Sequence, residues 1–299
     1  MMSNPVLRTE NLSKRFMNIT AVKNLNIEVN QGDIYGFLGP NGSGKTTTIS
    51  MMLGLIRPTS GRIELFEQAL SPDSLRRVGA VMDTGGFYAD LSGLDNLLIF
   101  GGVHKRPDKV RVNEMLEMVG LAERALHKYH TYSMGMKQRL GVALAMLADP
   151  DFFIFDEPTN GMDPEGIAEI RGLIIQLSRR GKTVFLASHL LSEVEQVCSH
   201  LAILKNGAVV KQGALTSLLS AGGRSHLELT VSEPAHAIAA LFDVGFIARI
   251  DGGKVLVIAD AGQAEEISAC LAARGIYLRE MKQTKSTLES VFLEAIAEN

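Results

Sequence analysis

Cysteine is scarce: the 299 residues hold two, Cys198 and Cys270, far apart and without metal-ligand spacing. That excludes a thiolate metal site and predicts two free thiols in a reducing cytosol. Long apolar runs are missing too, because charge interrupts every apolar stretch well before the ~20 residues that a membrane-spanning helix needs. The chain is therefore not expected to cross a bilayer by itself. An excess of positive charge is also absent: 30 Lys and Arg stand against 33 Asp and Glu, a net charge of −3. A chain built mainly to neutralise a nucleic-acid backbone would be basic, so no nucleic-acid partner is expected. The opening stretch "MMSNPVLRTENLSKRF" has no apolar core and carries acidic residues, which predicts neither a secretory signal nor a transit peptide.

What is present is a change of pattern along the chain. From residue 6 to about 212, short apolar strands alternate with helical stretches. "IYGFLG" (34–39) and "FFIFDE" (152–157) read as strands buried on both faces, as a parallel sheet in an α/β protein requires. Residues 90–146 are almost purely helical, which predicts a helical subdomain inserted into the α/β core. "QGALTSLLSAGGRSH" (212–226) carries Gly and Ser breakers and reads as a linker. Beyond it, strand-like "HLELTV", helical "PAHAIAALF", a hairpin turning at Gly252 and Gly253, helical "AEEISACLAARG" and strand-like "IYLREMK" follow one another. That β-α-β-β-α-β order predicts a small α+β, ferredoxin-like domain, closed by a helix with Ser286 and Glu289 as a capping box. The expected domains are 1–218 and 224–299.

The most specific signal is "FLGPNGSGKTTT". It matches Gly-x-x-x-x-Gly-Lys-Thr at Gly39, Gly44, Lys45 and Thr46, between a buried strand and a helical run. Glycines let backbone N–H groups turn onto an anion, and the helix that follows adds its positive end. Lys45 is expected to reach the β- and γ-phosphates and Thr46 to ligate Mg²⁺, with Pro40, Asn41, Gly42, Ser43 and Thr47 completing the cradle. Nucleoside triphosphate binding is the first expectation. "FFIFDEPTNGMD" supplies a partner, since Asp156 and Glu157 end an apolar strand at the sheet edge where ligands of open α/β folds collect. Asp156 is placed to hold Mg²⁺ through water, and Glu157 to polarise the water that attacks the γ-phosphate. Taken alone, such an acidic strand end is equally a solvated one.

A third stretch, "TYSMGMKQRL" (131–140), is ambiguous by itself. Ser133 is a natural helix N-cap, and Met134, Met136 and Leu140 could face a core.

In this order "GPNGSGKTT", "YSMGMKQRL", "FFIFDEPTNGMD" and "ASHLL", with an aromatic after "LSKR", make the chain resemble the nucleotide-binding subunit of an ATP-binding cassette transporter over residues 6 to about 212. The resemblance implies an α/β P-loop NTPase cassette that binds ATP and Mg²⁺, forms a homodimer, and works with a separate multi-span membrane permease from the cytoplasmic side of the membrane. It also implies roles. Ser133 and Gly135 would bind the γ-phosphate held by the opposite subunit; His189 would sense that phosphate; Phe16 would stack on adenine; Asp163 would lie at the dimer seam. For Phe16 the residues alone leave packing against the core open, for His189 a buried structural place, and for Asp163 a helix N-cap beside Pro164, compatible with the seam.

Two departures stand out. The signature carries Tyr132, Met134 and Met136 where the family usually has Leu, Gly and Gln, although Ser133 and Gly135 remain. Asp83 stands where the family presents a loop glutamine to the metal, and an acidic residue there resembles the bacitracin- and lantibiotic-type exporters. Asp83 is thus a candidate metal ligand, or else a solvated loop carboxylate. The expected function is ATP hydrolysis driving export of a drug, peptide antibiotic, lipid or polysaccharide. The rival expectation is a soluble cassette ATPase acting on ribosomes or nucleic acid.

Overall fold

The computed structural model describes residues 4–82, 86–102, 108–221, 226–259, 261–284 and 287–297. The chain divides into two compact units, Met1–Gly213 and Ala214–Asn299.

The first unit opens with β1 (Pro5–Phe16), β2 (Ile19–Asn30), β3 (Ile34–Leu38), α1 (Lys45–Met52), β4 (Ser60–Leu65), β5 (Gln68–Ala69), α2 (Pro72–Leu75) and β6 (Val78–Val81). A helical stretch follows: α3 (Gly93–Gly101), α4 (Lys109–Met118), two short 3-10 turns and α5 (Met134–Met146). The unit ends with β7 (Phe152–Asp156), α6 (Pro164–Arg179), β8 (Thr183–Ser188), α7 (Leu191–Val197), β9 (His200–Lys205) and β10 (Ala208–Ala214). Two sheets result, a four-stranded one in the order β2-β1-β4-β5 and a six-stranded one in the order β10-β9-β3-β8-β7-β6.

The six-stranded sheet fixes the site. Its strands β3, β7 and β8 are buried at every position, and the β6-β7-β8-β3-β9 pairings are all parallel. A sheet covered on both faces leaves only strand ends for polar chemistry. Phe37, Phe152, Phe185, Ile49 and Met52 fill the core between this sheet, α1 and the antiparallel sheet. Register then does the positioning: β3 pairs with β8 through Leu38 and Ser188, and β7 pairs with β8 through Asp156 and Ala187. The residues that follow these strands, 39–44, 157 and 189, therefore emerge side by side.

The second unit contains α8 (Leu215–Ala221), β11 (His226–Val231), α9 (Pro234–Phe242), β12 (Ala248–Asp251), β13 (Lys254–Ile258), α10 (Ala264–Ala273), β14 (Leu278–Thr284) and α11 (Leu288–Ala297). Its sheet runs β12-β13-β11-β14 with every resolved pairing antiparallel. The expected β-α-β-β-α-β order is found. The alternation of Leu227, Leu229 and Val231 with Val255 and Val257 turns one face onto α9 and α10. Two expectations need correction. The stretch read as a linker contains α8, whose Leu215 and Leu218 are buried three residues apart on one face. Cys270 is half-buried, 3.1 Å from a guanidinium nitrogen of Arg274. Met134, offered as a core residue, is exposed, while Leu140 is fully buried. Both cysteines are free thiols as expected. Ser286 of the anticipated capping box lies outside the described residues.

Candidate functional site

The loop from Gly39 to Gly44 joins β3 to α1, and two of its glycines are required by geometry. A Cβ on Gly39 would lie 2.8 Å from the Leu204 carbonyl oxygen; one on Gly44 would lie 2.5 Å from that of Ala21, and Gly44 also sits at φ +105°. Only glycine fits such a left-handed position this close to a neighbouring strand. The result is a concave backbone turn leading straight into the N-terminus of α1, where unsatisfied N–H groups and the helix dipole favour an anion. Ser43 is buried at this turn and its Oγ has no hydrogen-bond partner.

Lys45, the first residue of α1, is buried. Its Nζ donates to the carbonyl oxygen of Gly39 at 2.7 Å and lies 3.1 Å from Oε1 of Glu157. The second oxygen of Glu157 is 2.6 Å from Nδ1 of His189 and 3.3 Å from the His189 backbone N–H, which donates to it. Lys45, Glu157 and His189 thus form one linked group beneath the glycine-rich turn. Glu157 occupies a left-handed backbone conformation, φ +51°, held by its N–H donating to Ala187 at 3.0 Å. For a non-glycine residue such a conformation costs on the order of 1–3 kcal/mol and persists only where its surroundings enforce it. It ends β7 abruptly, so Glu157 does not continue the strand as the sequence pattern predicts.

Asp156, the last residue of β7, is buried, and its Oδ1 has no hydrogen-bond partner. Burial pushes its carboxyl above the usual range; the Thr46 hydroxyl hydrogen-bonded to it opposes the shift, the Glu157 charge adds to it, and Lys45 opposes it.

Against known proteins, the ABC transporter family pattern matches residues 22–160. Bacitracin transport ATP-binding protein BcrA of Bacillus licheniformis is 40% identical over 97% of this chain and 97% of its own. The protein of the same name from Enterococcus faecalis is 35% identical over 97% of this chain and 96% of its own. This chain belongs to the ATP-binding subunits of ABC transporters. A solved structure, the dimeric post-hydrolysis state of the ATP-binding cassette MJ0796 bound to ADP and Pi, superposes with a TM-score of 0.62 at 28% identity, covering 70% of this chain and 98% of that one. As an ABC cassette the chain is an ATPase, hydrolysing ATP to ADP and phosphate to power transport.

Other anticipated residues of this ABC subunit, Ser133, Asp163 and Phe16, make their contacts outside the Lys45–Glu157–His189 group. Ser133 is the N-cap of α5, accepting from the Met136 N–H at 3.3 Å, and is exposed. Among the described residues neither Ser133 nor Gly135 makes a hydrogen bond or ion pair to Lys45, Glu157 or His189. Asp163 caps α6 by accepting from the Gly166 N–H at 2.8 Å. Phe16 ends β1 with 46% of its surface exposed and the Lys14 ammonium 5.0 Å from its ring centre, which corrects the reading that it packs in the core. His189 is likewise exposed rather than a buried structural histidine. Asp83 lies outside the described residues.

Two features were not read from the sequence. Met162 packs between the signature and the helix after β7, with its Cε 3.1 Å from where a Gly135 Cβ would stand and 2.9 Å from that of Gly166. The small residues at 135 and 166 were the available signal. Tyr132, one of the signature departures, is buried and its hydroxyl donates to the Arg124 carbonyl at 2.7 Å. It anchors the segment before α5 and leaves Ser133 facing outward.

Proposed function

We propose that this chain is the ATPase subunit of an exporter, working as a homodimer on the cytoplasmic face of the membrane with a separate multi-span permease. The observation that carries the reading is the convergence of Lys45, Glu157 and His189 beneath the glycine-rich turn. Full-length similarity to bacitracin transport subunits supports export of a peptide antibiotic or a comparably amphipathic drug. No helix among the described residues is long and apolar enough to cross a membrane, so the transport pathway belongs to a partner.

The roles follow from position. Residues 39–47 hold the triphosphate through backbone N–H groups, and Lys45 leaves the Gly39 carbonyl to neutralise the β- and γ-phosphates. Phe16 offers its exposed ring to adenine. Ser133 and Gly135 present the start of α5 to the γ-phosphate bound by the second copy, and Asp163 with Met162 links that helix start to the same protomer's strand end. Glu157 accepts a proton from the attacking water, and His189 orients Glu157 while donating toward the γ-phosphate.

The donor set fits magnesium. That ion takes hard oxygen ligands and is commonly held by one or two carboxylates together with substrate phosphates. The unpartnered Oδ1 of Asp156 and the adjoining Thr46 hydroxyl are such donors, with Asp83 the third candidate. When bound, the ion would neutralise charge on the phosphate oxygens.

Closure is driven by a γ-phosphate that touches both copies and is released when hydrolysis removes it, giving the permease a two-state signal. Affinity purification of the tagged chain from gently solubilised membranes tests the reading. Co-purification of a multi-span protein whose presence makes ATP turnover respond to a peptide antibiotic is expected. Recovery of ribosomes or nucleic acid, with no membrane protein, would overturn it.

A further inference from the structure

The second unit carries a free sheet edge with an unusual composition. β12 is the outermost strand of β12-β13-β11-β14, and among the described residues nothing pairs with its outer side. The hairpin closes at Asp251 and Lys254 around Gly252 and Gly253, both at positive φ, and the Ile258 N–H donates to Ile247 at 2.9 Å. Residues 247, 249 and 251 therefore turn their backbone groups inward to β13, while the N–H and C=O groups of Ala248 and Ile250 point outward, unpaired. Exposed strand edges invite another strand, and proteins that avoid this load the edge with charge. The opposite edge, β14, does so with Arg279, Glu280 and Lys282. The β12 edge also carries charge, but of both signs, with Arg249 and Asp251 flanking an exposed Ile250 and Ile247 exposed just before the strand.

The geometry points to a second copy of this chain as the occupant, its β12 pairing antiparallel with this one about a two-fold axis through Ile250. The charges select that partner and that register. With Ile250 opposite Ile250, both outward-facing residues exchange N–H···O bonds, and Arg249 of each copy stands directly opposite Asp251 of the other. A two-residue slip, the next register that matches outward-facing groups, puts Arg249 opposite Arg249 or Asp251 opposite Asp251, and like charges directly opposed in a sheet are destabilising. A strand whose central positions read Arg-Ile-Asp is thus complementary to itself in one register only. Pairing joins two four-stranded sheets into one of eight strands and stacks the two Ile250 side chains on the face that holds Val255 and Val257.

This contact is independent of ATP, so it would keep two ATPase subunits tethered after hydrolysis separates the cassettes. The test uses the full-length chain without nucleotide, with mass measured by light scattering. The wild type is expected at twice the 32.4 kDa chain mass. Arg249→Asp and Asp251→Arg each place like charges in opposition and are expected to weaken self-association roughly tenfold or more. The double swap Arg249→Asp with Asp251→Arg restores complementarity and the dimer. As a second measurement, Ile250→Cys is expected to cross-link with itself under mild oxidation, because hydrogen-bonded antiparallel pairs stand ~5.5 Å apart at Cα, within disulfide reach; the wild-type chain, with its two native thiols, is the control. A monomeric wild type, single variants that remain dimeric, or a swap that fails to restore the dimer would each overturn the proposal. None of these readouts involves ATP, so the ATPase reading stands or falls separately through nucleotide occlusion.

Discussion

Nδ1 of His189 lies 2.6 Å from Oε2 of Glu157, and that carboxylate's other oxygen lies 3.1 Å from Lys45. A glutamate at a left-handed backbone position is thus held from both sides by nitrogen groups. In the proposed mechanism, binding draws Lys45 toward phosphate and leaves Glu157 free to face water on one side while His189 keeps its orientation.

Glu157→Gln keeps the shape and the contact to His189 but removes the proton acceptor. Turnover should fall by ~10²-fold or more, as expected for loss of a general base. Equilibrium ATP binding, measured by calorimetry, should be retained. Unchanged turnover would move the base elsewhere.

Gly44→Ala probes the cradle. The added Cβ would stand 2.5 Å from the Ala21 carbonyl at a backbone conformation that alanine disfavours. ATP affinity should weaken by about tenfold or more, the equivalent of 1.4 kcal/mol or greater. Binding isotherms of the two proteins make the comparison.

Asp156 carries a pH signature. Its carboxyl is raised, chiefly by burial, so the folded chain holds this proton more tightly than the unfolded chain does. The stability this group contributes is present below the unfolded value near 3.8 and is lost as pH rises through the higher folded value. At pH 7, above the unfolded value, the group therefore opposes folding. Asp156→Asn should raise the melting temperature of the nucleotide-free protein at pH 7, with the advantage shrinking as pH falls toward the unfolded value. The same variant should lose the extra stabilisation that magnesium adds to ATP. A lower melting temperature at pH 7 would contradict this.

Tyr132→Phe removes the hydroxyl that donates to the Arg124 carbonyl. The Arg124 carbonyl keeps its bond from the His127 N–H at 2.9 Å, so the loss is one hydrogen bond, ~0.5–1.5 kcal/mol, which for a unit of this size lowers the melting temperature by about 1–6 °C. KM for ATP should not change, because the residue anchors the signature segment from behind. Differential scanning fluorimetry with steady-state kinetics separates the two effects.

The cradle and the strand-end carboxylates were legible because each is encoded in a short contiguous stretch whose neighbours declare a strand or a helix. The second unit was legible for a similar reason, since alternation in "HLELTV" and "KVLVIA" survives without any long-range information. What escaped was set by tertiary geometry. The Lys45–Glu157–His189 group joins residues 112 and 32 positions apart, brought together by strand order β3-β8-β7. Their types were readable, but not the left-handed turn at Glu157 that links them. Helix α8 escaped because its seven residues sit between a glycine and a Gly-rich stretch, and two leucines three apart were outweighed by breakers. Met162 escaped because Gly135 and Gly166, the small residues that make room for it, are joined only by the fold.

In the proposed mechanism the site is completed by the signature of a second copy. Glu157→Gln loaded with labelled ATP and passed through a desalting column should retain the nucleotide, trapped between two subunits. Adding Ser133→Arg should abolish that retention while leaving equilibrium binding of ATP intact. Retention that survives Ser133→Arg would show that the start of α5 closes no site, and the composite arrangement would be wrong.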